Sequence, residues 1–430
     1  MSGKVKIGVF GAYRGMAMIR VLAKHPEAEL VAVCDKYQPA LEKVRALAQE
    51  AGIEVALYAN FDEFEKHDMD AVVLANYANE HAIYAIRLLK SGRHVLSEVL
   101  PCETMAQAVA LIEAVEESGC VYAYGENYCY MAHSFEMWRR YERGEIGEVM
   151  YAEGEYIHDC SSIWPNITYG DPNHWRNRLY PNYYCTHSVG PMLAITGRRP
   201  VRVSGFITQS NVSAPPLGRL SGSRAGMEIV TLDNGAIAKS IHGELKREPG
   251  CHPYRIYGTK GCMETQLFPD SKLSEGEVWK QKIMVYREGE EVCKGDTEIY
   301  APDLSRYSSL FQADRGHGGS DFYPTHYFIE KILGREEGIH YSLDVYKAVD
   351  MGIVGILAYR SALAGGAPME VPDLRKPEER DRWRNDNRCT NPNIASGDDL
   401  LPCAPEGNQD VPPEVYERVR QMWLKNNEEK

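Results

Sequence analysis

A chain of 430 residues, 44% hydrophobic and 25% charged, has the make-up of a soluble globular protein long enough for two cores. Its formal net charge of -13 argues against nucleic acid or an anionic membrane surface as a general partner. Eleven cysteines without a C-x-x-C pair argue against a structural zinc site and a disulfide framework alike, and fit a reduced compartment.

The opening MSGKVKIGVFG runs directly into a strand, which leaves no room for a signal peptide, and no apolar run is long enough to span a membrane. A cytoplasmic protein is expected. Strand and helix patterns then alternate. Residues 4–10 are an apolar β run, GAYRG a glycine turn, and MAMIRVLAKH has helical spacing. AELVAVCD is a second strand ending on Asp35, and QPALEKVRALAQEAG is an amphipathic helix stopped by Gly52. DAVVLANY, HVLSEV and VYAYGENYCY read as strands, with EHAIYAIRLLKSG and TMAQAVALIEAVEESG as helices between them. Such alternation implies a parallel sheet with right-handed crossovers, an α/β Rossmann domain over residues 1–125.

Beyond it the strands lengthen and lose their intervening helices. EVMYAEGEYIHD, VRVSGFITQ, GMEIVTLDNGAIAKSIHGE and HPYRIYGTKGCMETQ are joined by turns such as Asp233-Asn234-Gly235. An α+β domain with an open, mainly antiparallel sheet is expected over 126–370, closing on the helices DFYPTHYFIEKILG and SLDVYKAVDMGIVGILAYRSALAGG. From Val371 the chain turns polar and rich in Pro, Asn and Asp, then ends on PPEVYERVRQMWLKNNEEK. Residues 371–430 are read as an extension, an arm for oligomer contact.

Gly8, Gly11 and Gly15 surround the first strand-to-helix turn, where backbone N–H groups at a helix start can meet a pyrophosphate. Ala12, Tyr13 and Arg14 complete that turn. Asp35 closes the second strand 24 residues after Gly11, placed to accept ribose hydroxyls and to repel a 2′-phosphate, so NAD is favoured over NADP. Tyr13 stands where G-x-G-x-x-G wants its middle glycine, and the turn is one residue short.

The run LANYANEHAIYAIRLLKSGRHVLSEVLPCET resembles the Gfo/Idh/MocA oxidoreductases through His81, Gly92, His94, Val95 and Glu98. The resemblance implies NAD as cofactor and adds Asn76, His81, Glu98 and Asn127 to the expected cofactor contacts. The dehydrogenases of that family carry a lysine in E-K-P and an aspartate four residues before the second-domain histidine. Here those places hold Val99 and Tyr183, and valine can neither carry a proton nor donate a hydrogen bond.

A closer likeness accounts for both losses. LSEV, GENYCY, GEYIHD, HWR, YCTHSVGP and GHGGSDF resemble the NAD-dependent glycosidases of glycoside hydrolase family 109, known for α-N-acetylgalactosaminidase activity. The chemistry implied is redox-neutral: oxidation at sugar C3, loss of the C2 proton, departure of the C1 substituent, addition of water and re-reduction. Tyr184, Thr186, His187, Gly190 and Pro191 match the Y-x-T-H-x-x-G-P run of that group, and Glu126 its E-N pair. Histidine titrates near neutrality and suits proton shuttling, and tyrosine can relay a proton or hold an enolate. Tyr184 and His187, three apart, face the same way on a helical turn, and Pro191 cannot bond the carbonyl of His187.

These readings make Tyr184, His187 and Glu126 the catalytic candidates, with Glu126 a general base, a substrate hydroxyl acceptor or a salt-bridged strand end. His158, Asp159, Trp175, Arg176 and His317 are candidate substrate contacts; His158 and Asp159 could equally cap the next turn, and Ser320 or Asp321 could cap the helix after His317. The histidine spacings match no compact metal motif, so no metal is expected. The 27 tyrosines, eleven of them between Tyr122 and Tyr184, suit sugar rings and half-exposed strands alike. The expected partner is a carbohydrate or glycoside, with a homodimer or homotetramer by resemblance. An NAD-dependent sugar or cyclitol dehydrogenase is the competing enzyme reading, and a nucleotide-binding regulatory subunit the non-catalytic one.

Overall fold

The computed structural model describes residues 3–247, 250–266, 281–291, 294–311 and 316–428. Arg315 of the RGHGGSDF run and residues 429–430 of the last segment lie outside them. The first part is built on six parallel strands: β1 (Val5–Phe10), β2 (Ala28–Cys34), β3 (Ala56–Tyr58), β4 (Ala71–Leu74), β5 (His94–Ser97) and β6 (Tyr122–Tyr124). Their order is β3-β2-β1-β4-β5-β6. Helices α1 (Ala12–Leu22), α2 (Gln38–Ala51), α4 (His81–Lys90) and α5 (Met105–Ser118) form the crossovers, with a one-turn α3 (Phe61–Phe64) after β3. The sequence reading missed β3 and α3. Each is a turn long or less, too short to develop a period.

β1 pairs with both β2 and β4, so the strand order reverses beside it. In such sheets ligands bind at the carboxyl ends of the strands around that switch point. Those ends carry Gly11, Asp35, Asn76, Glu98 and Glu126, all singled out from the sequence.

After α6 (Ala132–Glu142) comes β7 (Val149–Ile157), then a loop region holding the short helix α7 (Trp164–Thr168), then α8 (Thr186–Thr196). Strands β8 (Pro200–Ile207), β9 (Ala225–Leu232), β10 (Ile237–Gly243), β11 (Tyr254–Gly258), β12 (Gly261–Thr265), β13 (Ile283–Glu288), β14 (Gly295–Tyr300) and β15 (Met369–Glu370) follow, with helices α9 (Phe322–Ile332), α10 (Glu336–Tyr341) and α11 (Val345–Leu363) before the last. The nine-stranded sheet has the order β14-β13-β12-β11-β7-β10-β9-β8-β15. It is mixed and mostly antiparallel: β10 runs parallel to β7 while every other neighbouring pair is antiparallel. β9 and β10 alternate buried with half-buried residues, because one face is covered by helices and the other is open. α8 and α11 lie on the covered face, and every residue of α8 is buried.

The tail runs back over its own chain. Arg380 pairs with Glu116 of α5, Arg360 of α11 makes two bonds to Asp386, and Asn391 donates to Glu103 at 3.0 Å. The final helices are α12 (Pro377–Arg380) and α13 (Pro413–Glu428), and Val419 of α13 joins Trp164 of α7 and Leu217 in a small apolar cluster.

Candidate active site

The nucleotide end begins where β1 gives way to α1. Gly11 has φ 99, and a Cβ there would stand 2.3 Å from the carbonyl oxygen of Ala75. Only glycine tolerates both the conformation and the approach. Because the turn is a residue short, α1 starts at once. Its first amides donate to Asp35 Oδ2, Ala12 N at 2.7 Å and Tyr13 N at 3.4 Å, while Tyr37 N reaches Oδ1 at 2.8 Å. A carboxylate has about four acceptor positions; three are taken, which leaves capacity for a ribose hydroxyl. Asn76, next to the Gly11 approach, donates to Glu80 at 3.1 Å and keeps a buried Oδ1 with no partner among the described residues. Glycine turn, helix start, strand-end carboxylate and open amide oxygen fit a dinucleotide. His81 is sunk below this surface, its Nδ1 3.2 Å from the Leu100 carbonyl, and burial pulls its imidazole down to about 4. Tyr13 is 69% exposed.

Arg14 links this turn to the second part of the chain. Its guanidinium donates to Glu98 Oε1 at 2.6 Å and to Asp321 Oδ1 at 3.0 Å. Asp321 also takes the Asn127 amide at 2.9 Å and lies 2.8 Å from His317 Nδ1. Asp321 was a capping candidate for the helix that follows. It is instead the hub of this cluster: α9 begins beside it without a side-chain cap, and Ser320 Oγ donates back to the His317 carbonyl. The two carboxylates on Arg14 differ in state. Burial pushes Glu98 up to about 7 against the pull of Arg14. Burial would raise Asp321 too, yet Arg14 and His317 together hold it well below the ordinary range. Val99, in the place of the lysine, is buried, and the Val99–Leu100 peptide is cis.

The opposite wall is formed by the start of α8. The helix begins at Thr186 and runs through Pro191, so His187 sits in its first turn and Tyr184 just ahead of it. The two rings lie 5.2 Å apart. His187 Nδ1 stands 2.7 Å from Glu126 Oε1, which also accepts from Tyr128 N at 3.2 Å. Glu126 is fully buried, so it meets the imidazole and not the open cleft. Gly190 permits this closeness, since a Cβ there would come within 3.1 Å of Glu126 Cγ. Tyr128 lies over the His187 ring at 4.2 Å and Tyr156 meets it edge-on at 4.8 Å. Burial raises the Tyr184 phenol above its ordinary value, which keeps it a proton donor at neutral pH.

The segment is pinned from the sheet below by Glu228 of β9, also fully buried. Glu228 accepts from Asn182 Nδ2 at 2.7 Å and from Ser240 Oγ, and Ser240 Oγ lies 2.7 Å from Ser188 Oγ. His242 Nε2 is 3.1 Å away on the same carboxylate. One carboxylate thus holds both ends of the 182–188 turn.

Between the walls stand the remaining candidates. His158 Nδ1 lies 3.3 Å from Tyr156 Oη and 3.1 Å from Cys160 Sγ. Asp159 caps the next turn through Ser161 N at 3.1 Å and pairs with Lys246. Trp175 and Arg176 follow His174, which meets Tyr77 of the nucleotide side edge-on at 5.0 Å. The Arg176 guanidinium lies over Trp175 at 4.7 Å and over Tyr184 at 5.3 Å. The sequence reading missed Asp321 as a site residue, together with Tyr128, Tyr156 and Glu228. Tyr128, Tyr156 and Asp321 stand inside quoted motifs, whereas nothing local marks Glu228. Among the described residues no group of three or more His, Cys, Asp or Glu side chains is placed to hold a metal ion, and no helix is long and apolar enough to cross a membrane.

Fold and cleft define a two-domain enzyme of the NAD-binding oxidoreductase class. Residues 5–126 match the oxidoreductase family with NAD-binding Rossmann fold named GFO_IDH_MocA, and residues 228–383 match the glycosyl hydrolase 109 C-terminal domain. The chain thus resembles the Gfo/Idh/MocA oxidoreductases in its Rossmann domain and glycosyl hydrolase 109 in its C-terminal domain. Residues 127–227, which hold Tyr184 and His187, lie between the two matches. A glycosyl hydrolase family 109 protein 1 of Phocaeicola vulgatus is 24% identical over 405 residues, covering 86% of this chain and 84% of its own. A family 109 protein of Porphyromonas gingivalis is also 24% identical, over 412 residues, covering 86% of this chain and 85% of its own. Among solved structures, levoglucosan dehydrogenase in complex with NADH has a TM-score of 0.69 at 18% identity, covering 86% of this chain and all of that one. The myo-inositol 2-dehydrogenase of Lactobacillus plantarum has a TM-score of 0.65 at 17% identity, over 86% of this chain and all of its own. At these identities the solved structures speak for the fold.

Proposed function

We propose that the chain is an NAD-dependent glycoside hydrolase that cleaves a glycosidic bond with no net redox change. The observation that carries this reading is the Glu126–His187 contact at 2.7 Å, facing an Arg14 cluster that holds no lysine among the described residues. NAD, held by the Gly11 turn, Asp35 and Asn76, would supply the hydride acceptor for sugar C3 and the donor that restores it. The C3 hydroxyl proton leaves to solvent as the hydride departs and is regained from solvent on re-reduction; the proton at C2 is moved by the chain itself. With Nδ1 engaged by Glu126, His187 Nε2 is the nitrogen left for the substrate. It takes the C2 proton once the C3 carbonyl has acidified it, and Glu126 stabilises the imidazolium that results. Tyr184, kept protonated by burial, donates to the enolate oxygen. Arg176, between Trp175 and Tyr184, fixes the sugar from the rim, with His158 and His317 as further contacts. Glu126 acts through His187, and Glu98 and Asp321 act by holding Arg14. The substituent departs from C1 with a proton from solvent, the imidazolium exchanges its proton with solvent, water adds at C1 and gives up a proton, and the same imidazole delivers a solvent-derived proton to C2.

A panel of aryl α- and β-glycosides with catalytic NAD⁺ tests this, following phenol release and NADH absorbance together. Many turnovers of phenol without lasting NADH support the proposal. NADH rising with substrate loss and no phenol would establish a sugar or cyclitol dehydrogenase instead.

A further inference from the structure

The carbonyl of His187 lies four residues before Pro191, which has no N–H to offer it. A buried carbonyl left without a donor costs about 1–3 kcal/mol. The missing donor comes from another strand: the hydroxyl of Tyr254, first residue of β11, donates to this oxygen. Tyr254 is fully buried, and burial holds its phenol protonated.

The same tyrosine is tied to the face of the His187 ring. It stacks on His133 at 5.7 Å, His133 stacks on His252 at 5.3 Å, His252 meets Tyr128 edge-on at 5.4 Å, and Tyr128 lies over His187 at 4.2 Å. Four buried rings therefore run from the main-chain oxygen of His187 round to its imidazole. Burial keeps both histidines of the circuit neutral, His252 down to about 3, so neither adds a positive charge beside His187.

We propose that Tyr254 is a positioning residue, which fixes the first turn of α8 and so aims His187 Nε2 at the substrate. The proposal rests on the reading of His187 as the proton-transfer group. Glu126 sets the tautomer and Tyr128 the plane of the ring; Tyr254 sets the backbone from which the ring projects.

Tyr254→Phe keeps the ring and its stacking and removes one O–H. On the aryl glycoside turned over in the panel, kcat should fall 10- to 100-fold, while KM and NAD⁺ affinity stay within two-fold. Tyr359→Phe serves as the control, since it removes a like hydroxyl-to-carbonyl bond, to Pro402, outside the cleft. It should lose melting temperature without losing kcat. The decisive variant is the double substitution Tyr254→Phe with Pro191→Ala, which restores an N–H four residues after His187. It should recover at least ten-fold of the lost kcat. The proposal is overturned if Tyr254→Phe keeps wild-type kcat, or if the double variant is no faster than Tyr254→Phe alone. Loss of folding in Tyr254→Phe would leave the double variant as the judge: an active double variant upholds the proposal and an inactive one overturns it. Turnover retained by His187→Ala would instead remove the reading of the site on which this rests.

Discussion

The two walls of the cleft use the same kinds of residue in opposite ways. On the nucleotide wall a guanidinium holds two carboxylates, Asp321 at 3.0 Å, which it keeps ionised, and Glu98 at 2.6 Å, which burial pushes up to about 7. On the α8 wall the buried carboxylate Glu126 has no guanidinium or ammonium partner among the described residues, and it meets an imidazole at 2.7 Å. Fixed ion pairs make a wall that orients. A carboxylate bonded to an imidazole makes a wall that can accept a proton. The valine in the lysine's place falls on the first wall, and the proposed function assigns proton transfer to the second.

Breaking the second wall should have the largest effect on turnover. His187→Ala is expected to lower kcat by about 10³-fold or more while NAD⁺ still binds, as measured by steady-state kinetics and by quenching of tryptophan fluorescence. Breaking the first wall should act on folding and cofactor binding. Arg14→Leu leaves two buried carboxylates without their cation, an expected loss of about 3–5 kcal/mol in denaturant unfolding, together with weaker NAD⁺ binding. If Arg14→Leu instead lowers kcat alone, the division between the walls is wrong. Glu126→Gln keeps the size of the side chain but cannot stabilise an imidazolium. A fall in kcat of about 10²-fold with KM unchanged is expected.

The smallest effect sharpens the comparison within the first wall. Glu98 is raised to about 7 when folded, from an ordinary value near 4.5, mainly by burial. The folded state thus holds its proton more tightly than the unfolded chain. The stability this contributes is fully present below pH 4.5 and is lost as pH rises through about 7. Glu98→Gln stays neutral throughout, so its stability relative to wild type should improve between pH 5 and 8 by on the order of 1–2 kcal/mol. A flat difference across that range would show that Arg14 keeps Glu98 ionised.

Much of the fold was legible because its signals are local. Strand and helix alternate up to Tyr124, and the candidates Gly11, Asp35, Glu98 and Glu126 fall at strand ends, where a doubly wound sheet collects its ligands. The pairing of the site's members was not legible. Glu126 and His187 are 61 residues apart and meet only because Gly190 lets α8 press against the end of β6. Asp321 was read as a cap because Ser-Asp before an apolar helix carries that pattern; the competing claim of Arg14, 307 residues away, leaves no local trace. The parallel pairing of β7 with β10 escaped for the same reason, since a strand's period gives its faces and not its neighbour's direction. Glu228, the carboxylate that pins Asn182 and Ser188, looks in sequence like any half-exposed strand glutamate.

Under the proposed function His187 removes the C2 proton of a sugar held between these walls and later delivers a solvent-derived proton there. Hydrolysis of an aryl glycoside in D₂O, with the product sugar examined by NMR, tests it most directly. The account predicts one solvent deuterium at C2 of the released sugar, and none at C2 when hydrolysis proceeds by direct displacement at C1. Product that keeps its original C2 hydrogen through many turnovers would contradict it.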